Sequence, residues 1–409
     1  MMTTAEVHWR DRAADLADDL ARTGDVTDPA WLDAIRGTPR HELVPVFFQQ
    51  LRPGRWTSTH VGDQGGRPAS LAAAYSDAEL AILLDRSVRP AAVLSTAIRP
   101  RHAARTLQAL DVHPGHRVLH VGTGSGYLTA LLCRRLGDQD VMSLDIEPAL
   151  VDLAAARLAA IGHTPTVQAG HAWDGLPEHG PVDRIVATCA LPSIPPSWLS
   201  QLGTHGIVVA ELRLGPGAAT LVRLARQAPD RIEGRFHPAG TAFAPLRPCP
   251  GRSSQHTAAW IDHDTSSPRS RWSTIAPDTP WLHDPEVSRV TWFLAALDLG
   301  MYEVRHQRRP QGFPPGHPAI VLDTPDGSWA RIDTVARDGE HHVIEGGPRR
   351  LWAVVERAHR WWRDLGRPGW ARFGLTVTPT EHTIWLDQPD GEHRWTRPTP
   401  TSASAWRKT

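Results

Sequence analysis

The sequence predicts an α/β protein: a Rossmann-like domain, with a parallel sheet covered by helices on both faces, followed by a smaller α+β domain. Three observations carry that reading. Residues 118–129, VLHVGTGSGYLT, pass from an apolar strand through a glycine turn into a helix, and Asp145 closes a second apolar run, VMSLD, nineteen residues after Gly126. Short apolar segments then alternate with helix-period segments to about residue 250. Beyond residue 250 the composition changes, because twelve of the 17 tryptophans lie there.

Taken in order, residues 5–22 read as a modestly amphipathic helix. Asp28 or Thr27 caps the next one, Pro29 sits in its first turn, and it stops before Pro39. Residues 40–75, including VGDQGGRP at 61–68, read as irregular. AILLD at 81–85 is a short strand, and STAIRP at 95–100 leads into a helix over 100–110. The α/β alternation follows, with strands at 117–121, 141–144, 164–168, 183–188 and 206–211. Helices fit at 126–136 and 148–160, with another between the later strands. Pro148 begins the second helix and Gly162 ends it. Strands near 219–226 and 231–236 extend the sheet in antiparallel fashion. The domain division places an N-terminal substrate-side region at 1–110, the core at 111–250, a polar linker at 251–270 and the Trp-rich domain at 271–409.

In that last domain a helix at 285–297 turns Val290, Phe293, Leu294 and Leu297 inward. A second covers 354–366, with Val355, Ala358 or His359, and Trp362 on one face. Strands fit at 319–323, 328–332, 341–344 and 383–386, with DTPDGSW and LDQPDGEHRW as hairpin turns. The last ten residues read as loose.

The glycine turn limits the ligand. It reads GxGxG rather than GxGxxG, and no GxxxxGK[ST] segment accompanies it. A turn built to hold adenosine without a pyrophosphate points to S-adenosylmethionine ahead of NAD. The 44 basic and 44 acidic side chains balance, which gives no general pull toward nucleic acid or anionic membrane. No apolar run reaches the roughly 18 residues of a membrane span, and the polar N-terminus lacks a signal core. Cys133, Cys189 and Cys249 are widely spaced, as in a reducing compartment; the expected location is cytoplasmic. The pair His341–His342 has no companion ligands at metal-site spacing, so no metal is expected.

Several segments, in order, resemble the protein-L-isoaspartate O-methyltransferase family: RHELVP at 40–45, AYSD at 74–77, VLHVGTGSGY, VMSLD, DRIVAT at 183–188 and IPPSWLSQLGTHGIVV at 194–209. The resemblance implies a class I S-adenosylmethionine-dependent methyltransferase fold. It implies that His120, Gly122, Thr123, Gly124, Ser125 and Gly126 surround the methionine and ribose, and that Asp145 accepts the ribose hydroxyls. Ile146, His171 and Ala172 then lie beside adenine. Two positions depart from the family: it usually has glutamate at position 120 and aspartate at position 171. His171 either hydrogen-bonds or stacks there, or is a loop histidine, with Trp173 as an alternative aromatic wall.

On the acceptor side STAIRP aligns with the family's QTISQP. Ile98 stands where the family has its active-site serine, and isoleucine donates no hydrogen bond. Ser95 or Thr96 takes over through a local shift, or another group positions the carboxylate. Tyr75 and Asp77 share that wall, and Arg99 either meets a substrate acid or faces solvent. His60, Asp63 and the glycines of 62–66 form a substrate lid or a surface loop.

The whole chain resembles a narrower branch, the methyltransferases associated with ATP-grasp peptide maturases (graspetides), through RFGLTVTPTEHTIWLDQP at 372–389. That resemblance implies methylation of an aspartate in a ribosomal precursor peptide already crosslinked by an ATP-grasp ligase, with the ester collapsing to aspartimide. The late tryptophans are then core, or, within Trp361–Trp362, line a peptide groove. Two other functions remain open: general L-isoaspartyl protein repair, and a non-catalytic peptide-binding scaffold.

Overall fold

The computed structural model describes residues 4–52, 55–61, 68–238, 241–250, 268–277, 285–300, 303–307 and 319–399. The chain opens with α1 (Thr4–Arg22) and α2 (Pro29–Gly37). Asp28 is the residue that caps α2, its Oδ1 accepting the Ala30 N–H at 2.9 Å. The Thr27 N–H instead donates to Gln108 Oε1 at 2.9 Å, which ties this corner to a later helix.

The described residues of 40–75 form regular elements where irregular structure was expected. They form α3 (Arg40–Leu43), β1 (Val46–Arg52), β2 (Arg55–His60) and α4 (Pro68–Ala74). With β3 (Leu80–Asp85) and β4 (Ala92–Ala97) the strands make a four-stranded sheet in the order β2-β1-β3-β4. The β1–β2 hairpin shows no apolar alternation because little of it is covered. Only Phe47 is buried among its described residues, so the pattern that marks a half-buried strand has no cause to appear. His60 ends β2 exposed; Asp63 and the glycines of 62–66 lie outside the described residues.

The core follows the predicted alternation. In order come α5 (Pro100–Leu110), β5 (Val118–Val121), α6 (Tyr127–Leu136), β6 (Val141–Asp145), α7 (Pro148–Ala160), β7 (Thr166–Ala169), β8 (Val182–Leu191), α8 (Pro196–Gln201), β9 (Leu202–Gly215), β10 (Ala218–Ala228) and β11 (Arg231–Phe236). Strand β5 pairs in parallel with both β6 and β8. The chain runs outward from β5 through β6 to β7, then returns to β8 on the other side. That reversal opens a crevice at the carboxyl ends of β5 and β8, where ligands bind in open α/β sheets. Side chains alternate between two cores. Ile207 and Val209 join α1, α2, α5 and α6 on one face, while Val208 and Ala210 face the other.

The remainder comprises β12 (Arg269–Ser273), α9 (Pro285–Leu299), β13 (Glu303–Gln307), β14 (Ala319–Asp323), β15 (Trp329–Asp333), β16 (His341–Gly346), α10 (Leu351–Asp364), β17 (Phe373–Val377), β18 (Glu381–Leu386) and β19 (Arg394–Pro398). Strands β12 to β16 form their own five-stranded antiparallel sheet. The last three do not: β17 pairs with β11, and the core sheet reaches ten strands in the order β19-β18-β17-β11-β10-β9-β8-β5-β6-β7. A boundary at 250–270 therefore separates segments that share one sheet, and residues 269–270, placed in the linker, already belong to β12. The pairing covers what would otherwise be an open edge on β11. Most of the late tryptophans among the described residues are core. Phe236 of β11, Phe293 of α9 and Trp370 meet at ring distances of 5.1 to 5.9 Å, joining the two sheets through one apolar cluster. The last ten residues lie outside those described, and no described helix is long and apolar enough to cross a membrane.

Candidate active site

The crevice holds a cleft of about 860 Å³, open solvent included, lined by the turn after β5 and by the ends of β6, β7 and β8. Gly122, Gly124 and Gly126 all have positive φ, at 97°, 52° and 85°, the region that disfavours any side chain. A Cβ at Gly122 would also come within 3.0 Å of Thr188 Oγ1, while one at Gly126 would only touch Ala154 and Leu158 of α7. The turn thus bends back across the strand end and brings bare backbone to the cleft. Asp145 reaches in from β6. Its Oδ2 accepts the Gly124 N–H at 2.9 Å and its Oδ1 the Glu147 N–H at 3.0 Å. Burial raises its pKa, against the pull of those two amides and of Arg247. Ile146, Gly170 and Ala172 line the same end of the cleft.

His120 lies beneath the turn, 1% exposed. Its Nδ1 is 2.9 Å from Thr129 Oγ1 and its Nε2 is 3.0 Å from Thr188 Oγ1. Ser143 Oγ joins the group and continues it to Thr123 Oγ1 at 2.6 Å. Burial holds the imidazole pKa down to about 3. The residue therefore adds no positive charge beside the cofactor position. It is a neutral strut that ties β5, α6 and β8 together under the glycines. His171 does not line the cleft; its Nδ1 accepts the Trp173 N–H at 3.1 Å within its own turn.

The opposite wall comes from β4 and the turn after it. Ser95, Thr96, Ile98 and Arg99 all line the cleft. A Cβ on Gly124 would lie 3.5 Å from the Thr96 carbonyl oxygen and 3.8 Å from Ser95 Oγ, so this wall stands directly against the glycine turn. Thr96 Oγ1 donates to Glu79 Oε1 at 2.6 Å. Ser95 Oγ has no hydrogen-bond partner among the described residues. Arg99 is engaged: its Nε donates to Asp77 Oδ2 at 3.0 Å. Asp77 also accepts the Arg101 N–H at 2.9 Å. Its pKa is lowered, because that amide and the two guanidiniums outweigh burial. Asp77 and Arg99 therefore brace the start of α5.

Tyr75 is buried behind this wall, its hydroxyl 2.8 Å from His41 Nδ1, and does not line the cleft. Beside it, the fully buried Arg40 donates to the carbonyls of Ala74 and Ile98, fixing both segments. Trp361 and Trp362 are not in the cleft either. Trp362 is buried and its indole N–H donates to the Pro368 carbonyl at 3.1 Å. Trp361 packs edge-on against Trp395 and His393, at ring distances of 5.0 and 5.4 Å.

Folding adds residues that no motif marked. Glu79 lies at the mouth, and protein around its carboxyl raises its pKa against the Thr96 hydrogen bond. Residues 242–247 form a strap over the cleft, pinned to β8 by the Ala190 N–H on the Ala244 carbonyl and the Leu246 N–H on the Ala190 carbonyl, both at 2.8 Å. Arg247 of this strap pairs with Glu147 at 3.1 Å and approaches Asp145 at 4.0 Å. Cys189 also lines the cleft. Burial beside Asp145 pushes its thiol up to about 12, which removes it as a nucleophile at neutral pH.

A sequence profile described as Protein-L-isoaspartate(D-aspartate) O-methyltransferase (PCMT) matches residues 67–247. A protein-L-isoaspartate O-methyltransferase of Methylorubrum extorquens (strain PA1) is 35% identical over 222 residues, covering 54% of this chain and 82% of the relative. A namesake from Caulobacter sp. (strain K31) is 34% identical over 194 residues, covering 47% and 73%. Among solved structures, a protein-L-isoaspartate O-methyltransferase aligns with 90% of this chain and 96% of its own, at 16% identity and a TM-score of 0.47. A putative one from Plasmodium falciparum, in complex with S-adenosyl-L-homocysteine, aligns with 57% and 97%, at 16% identity and a TM-score of 0.44.

Proposed function

The chain belongs to the protein-L-isoaspartate O-methyltransferase family, and from that premise we propose that it methylates an isoaspartyl-type side-chain carboxylate in a peptide or protein. It is an S-adenosylmethionine-dependent methyltransferase. The residues present fit that cofactor: a bare glycine turn at the sheet's switch point, and a buried carboxylate whose two oxygens each hold one amide and keep room for a ribose hydroxyl. Asp145 binds the ribose, the backbone of Gly122–Ser125 encloses the methionyl side, and Ile146, Gly170 and Ala172 hold adenine. When bound, the cofactor supplies an electrophilic methyl group on a sulfonium.

The acceptor is a carboxylate, already ionised near neutral pH, so no general base is required. The chain's task is alignment, whose contribution in rate is large. The observation that carries the proposal is that Ser95 Oγ, an uncommitted donor, stands 3.8 Å from the Cβ position of Gly124. Ser95 orients the acceptor carboxylate toward the turn. Thr96 is held by Glu79 and Arg99 by Asp77, so these two shape the wall.

A second reading restricts the acceptor to one partner: an aspartate in a ribosomal precursor peptide crosslinked by an ATP-grasp ligase. Two observations favour it. Ile98 lines the cleft where the resemblance has serine, and β17–β19 build into the core sheet far beyond the profile match that ends at residue 247. In that reading the backbone amide following the methylated aspartate attacks the ester carbonyl. A C–N bond forms, methanol leaves with the amide proton, and aspartimide results. Purified enzyme, labelled methyl donor and three peptides (isoaspartyl, aspartyl and crosslinked) decide by mass spectrometry. Labelling of the isoaspartyl peptide supports the first reading. Labelling confined to the crosslinked peptide, followed by loss of methanol, supports the second.

A further inference from the structure

A second cleft, of about 760 Å³ with open solvent included, lies at the seam between the end of β9, the turn after β8 and the C-terminal hairpin. It exists because the ten-stranded sheet curls. Strand β18 is five strands from β8 in the sheet order, yet the Ile194 N–H after β8 donates to His382 Nε2 of β18 at 2.9 Å. The hollow of the curl has apolar sides from Leu212, Leu214, Leu375 and Ile384, and it is lined by Ser193, Arg213 and Arg397 as well.

Its polar groups are arranged for an anion. Arg397 meets no carboxylate within ion-pair distance among the described residues, and burial lowers its pKa with nothing opposing. Ser193 is 7% exposed, and its Oγ is buried with no hydrogen-bond partner. Arg213 pairs through Nη2 with Glu211 at 3.3 Å and donates to the Phe243 carbonyl at 2.9 Å, while its buried Nε has no partner. Glu211 is fully buried; its Oε2 accepts from the Thr241 hydroxyl and the Phe243 N–H, and its Oε1 is the atom that meets Arg213. His382 adds no charge. Its Nε2 accepts from Ile194, so Nδ1 carries the proton toward Thr399 Oγ1 at 2.9 Å. A half-buried arginine with no carboxylate beside it is a costly arrangement unless an anion joins it.

The hollow adjoins the methyl-transfer cleft. Residues 241–243 are bonded to Arg213 and Glu211 on one side, and Phe243 lines the first cleft on the other. We propose that this second cleft is a carboxylate-binding subsite that docks an acidic stretch of the peptide substrate, with Arg397 as its principal cation and Arg213 beside it. This inference rests on the peptide methyl transfer proposed above and names the class of peptide.

The test uses the full chain and two fluorescent isoaspartyl peptides that differ only in a flank of four aspartates or four asparagines. Binding is read by anisotropy and turnover by methyl incorporation. The Asp-flanked peptide is expected to bind about tenfold more tightly, and the preference to shrink with added salt as screened ion pairs do. R397Q is expected to cut the preference to about twofold while binding and methylating the Asn-flanked peptide as wild type does. R397K is expected to keep most of it. Equal binding of both peptides by the wild type overturns the proposal, as does an undiminished preference in R397Q. Absence of methylation of either peptide contradicts the proposed function, and the anisotropy preference still decides the subsite.

Discussion

On one wall of the cleft Gly122, Gly124 and Asp145 are held by backbone conformation and backbone amides; on the other, Thr96 and Arg99 are held by the side chains of Glu79 and Asp77. The glycine turn takes its shape from three positive φ angles and the start of α6. Asp145 bonds the turn directly. The β4 wall depends on Glu79, Asp77 and, through the Ile98 carbonyl, on Arg40, which is 58 residues away. A wall made of backbone geometry leaves its glycines in the sequence as a mark. A wall made of side-chain pairs shows its chemistry only when folded.

That difference can be broken experimentally, beginning with the cofactor wall. Asp145→Ala removes the ribose acceptor and frees two amides. It is expected to weaken S-adenosylhomocysteine binding about 100-fold, or roughly 3 kcal/mol, by calorimetry. Gly122→Ala places a Cβ at positive φ against Thr188. A cost of about 1–2 kcal/mol is expected, seen as about tenfold weaker cofactor binding. On the acceptor wall, Ser95→Ala is expected to lower kcat about tenfold with cofactor affinity unchanged. Ile98→Ser is expected to raise kcat/KM for a generic isoaspartyl peptide about fivefold, as one added hydrogen bond would. If Ser95→Ala instead weakens cofactor binding as strongly as Gly122→Ala, the two walls are not separable.

The smallest effect concerns stability. His120 and His382 are buried neutral, with pKa values held down to about 3 and about 4 from 6.5. The unfolded chain then binds more protons than the folded one between those values and 6.5. Stability accordingly rises with pH across that window and is lost as pH falls through it. Thermal melts of the H120Q/H382Q variant should show a shallower decline from pH 6.5 to 4.5 than the wild type. An equally steep decline would remove these histidines from the account.

The parallel half of the core was legible because its period, its glycines and its caps agree with one another. The strand beginnings and ends near 118–121, 141–145 and 182–191 fall close to where the sequence placed them. What was not legible has physical causes. The β1–β2 hairpin is too exposed to show alternation. β17 pairs with an edge at least 139 residues earlier, Gly374 lying opposite Arg235 of β11, and no local pattern encodes a partner at that distance. Within the site, the glycine turn, Asp145, Ser95, Thr96 and Ile98 share one cleft, whereas Tyr75 stays behind its wall and Trp361 and Trp362 pack elsewhere. Aromatic residues read alike whether they line a groove or fill a core, and here Trp361 packs against Trp395 of the ten-stranded sheet while Trp362 is buried against the Pro368 carbonyl. The residue types at 120 and 171 showed departures but not consequences. Burial decides that His120 is neutral, and a turn contact removes His171 from the cleft.

The most direct measurement is a single-turnover reaction of the wild-type chain with deuterated-methyl S-adenosylmethionine and an excess of isoaspartyl peptide, read by mass spectrometry before and after mild base. The account predicts one deuterated methyl per modified peptide, lost in base as an ester is lost, and far less label with Asp145→Ala at a cofactor concentration that only just saturates the wild type. Tight binding of S-adenosylhomocysteine with no label on isoaspartyl, aspartyl or crosslinked peptide would contradict it, and would leave a fold that holds the cofactor without transferring its methyl group.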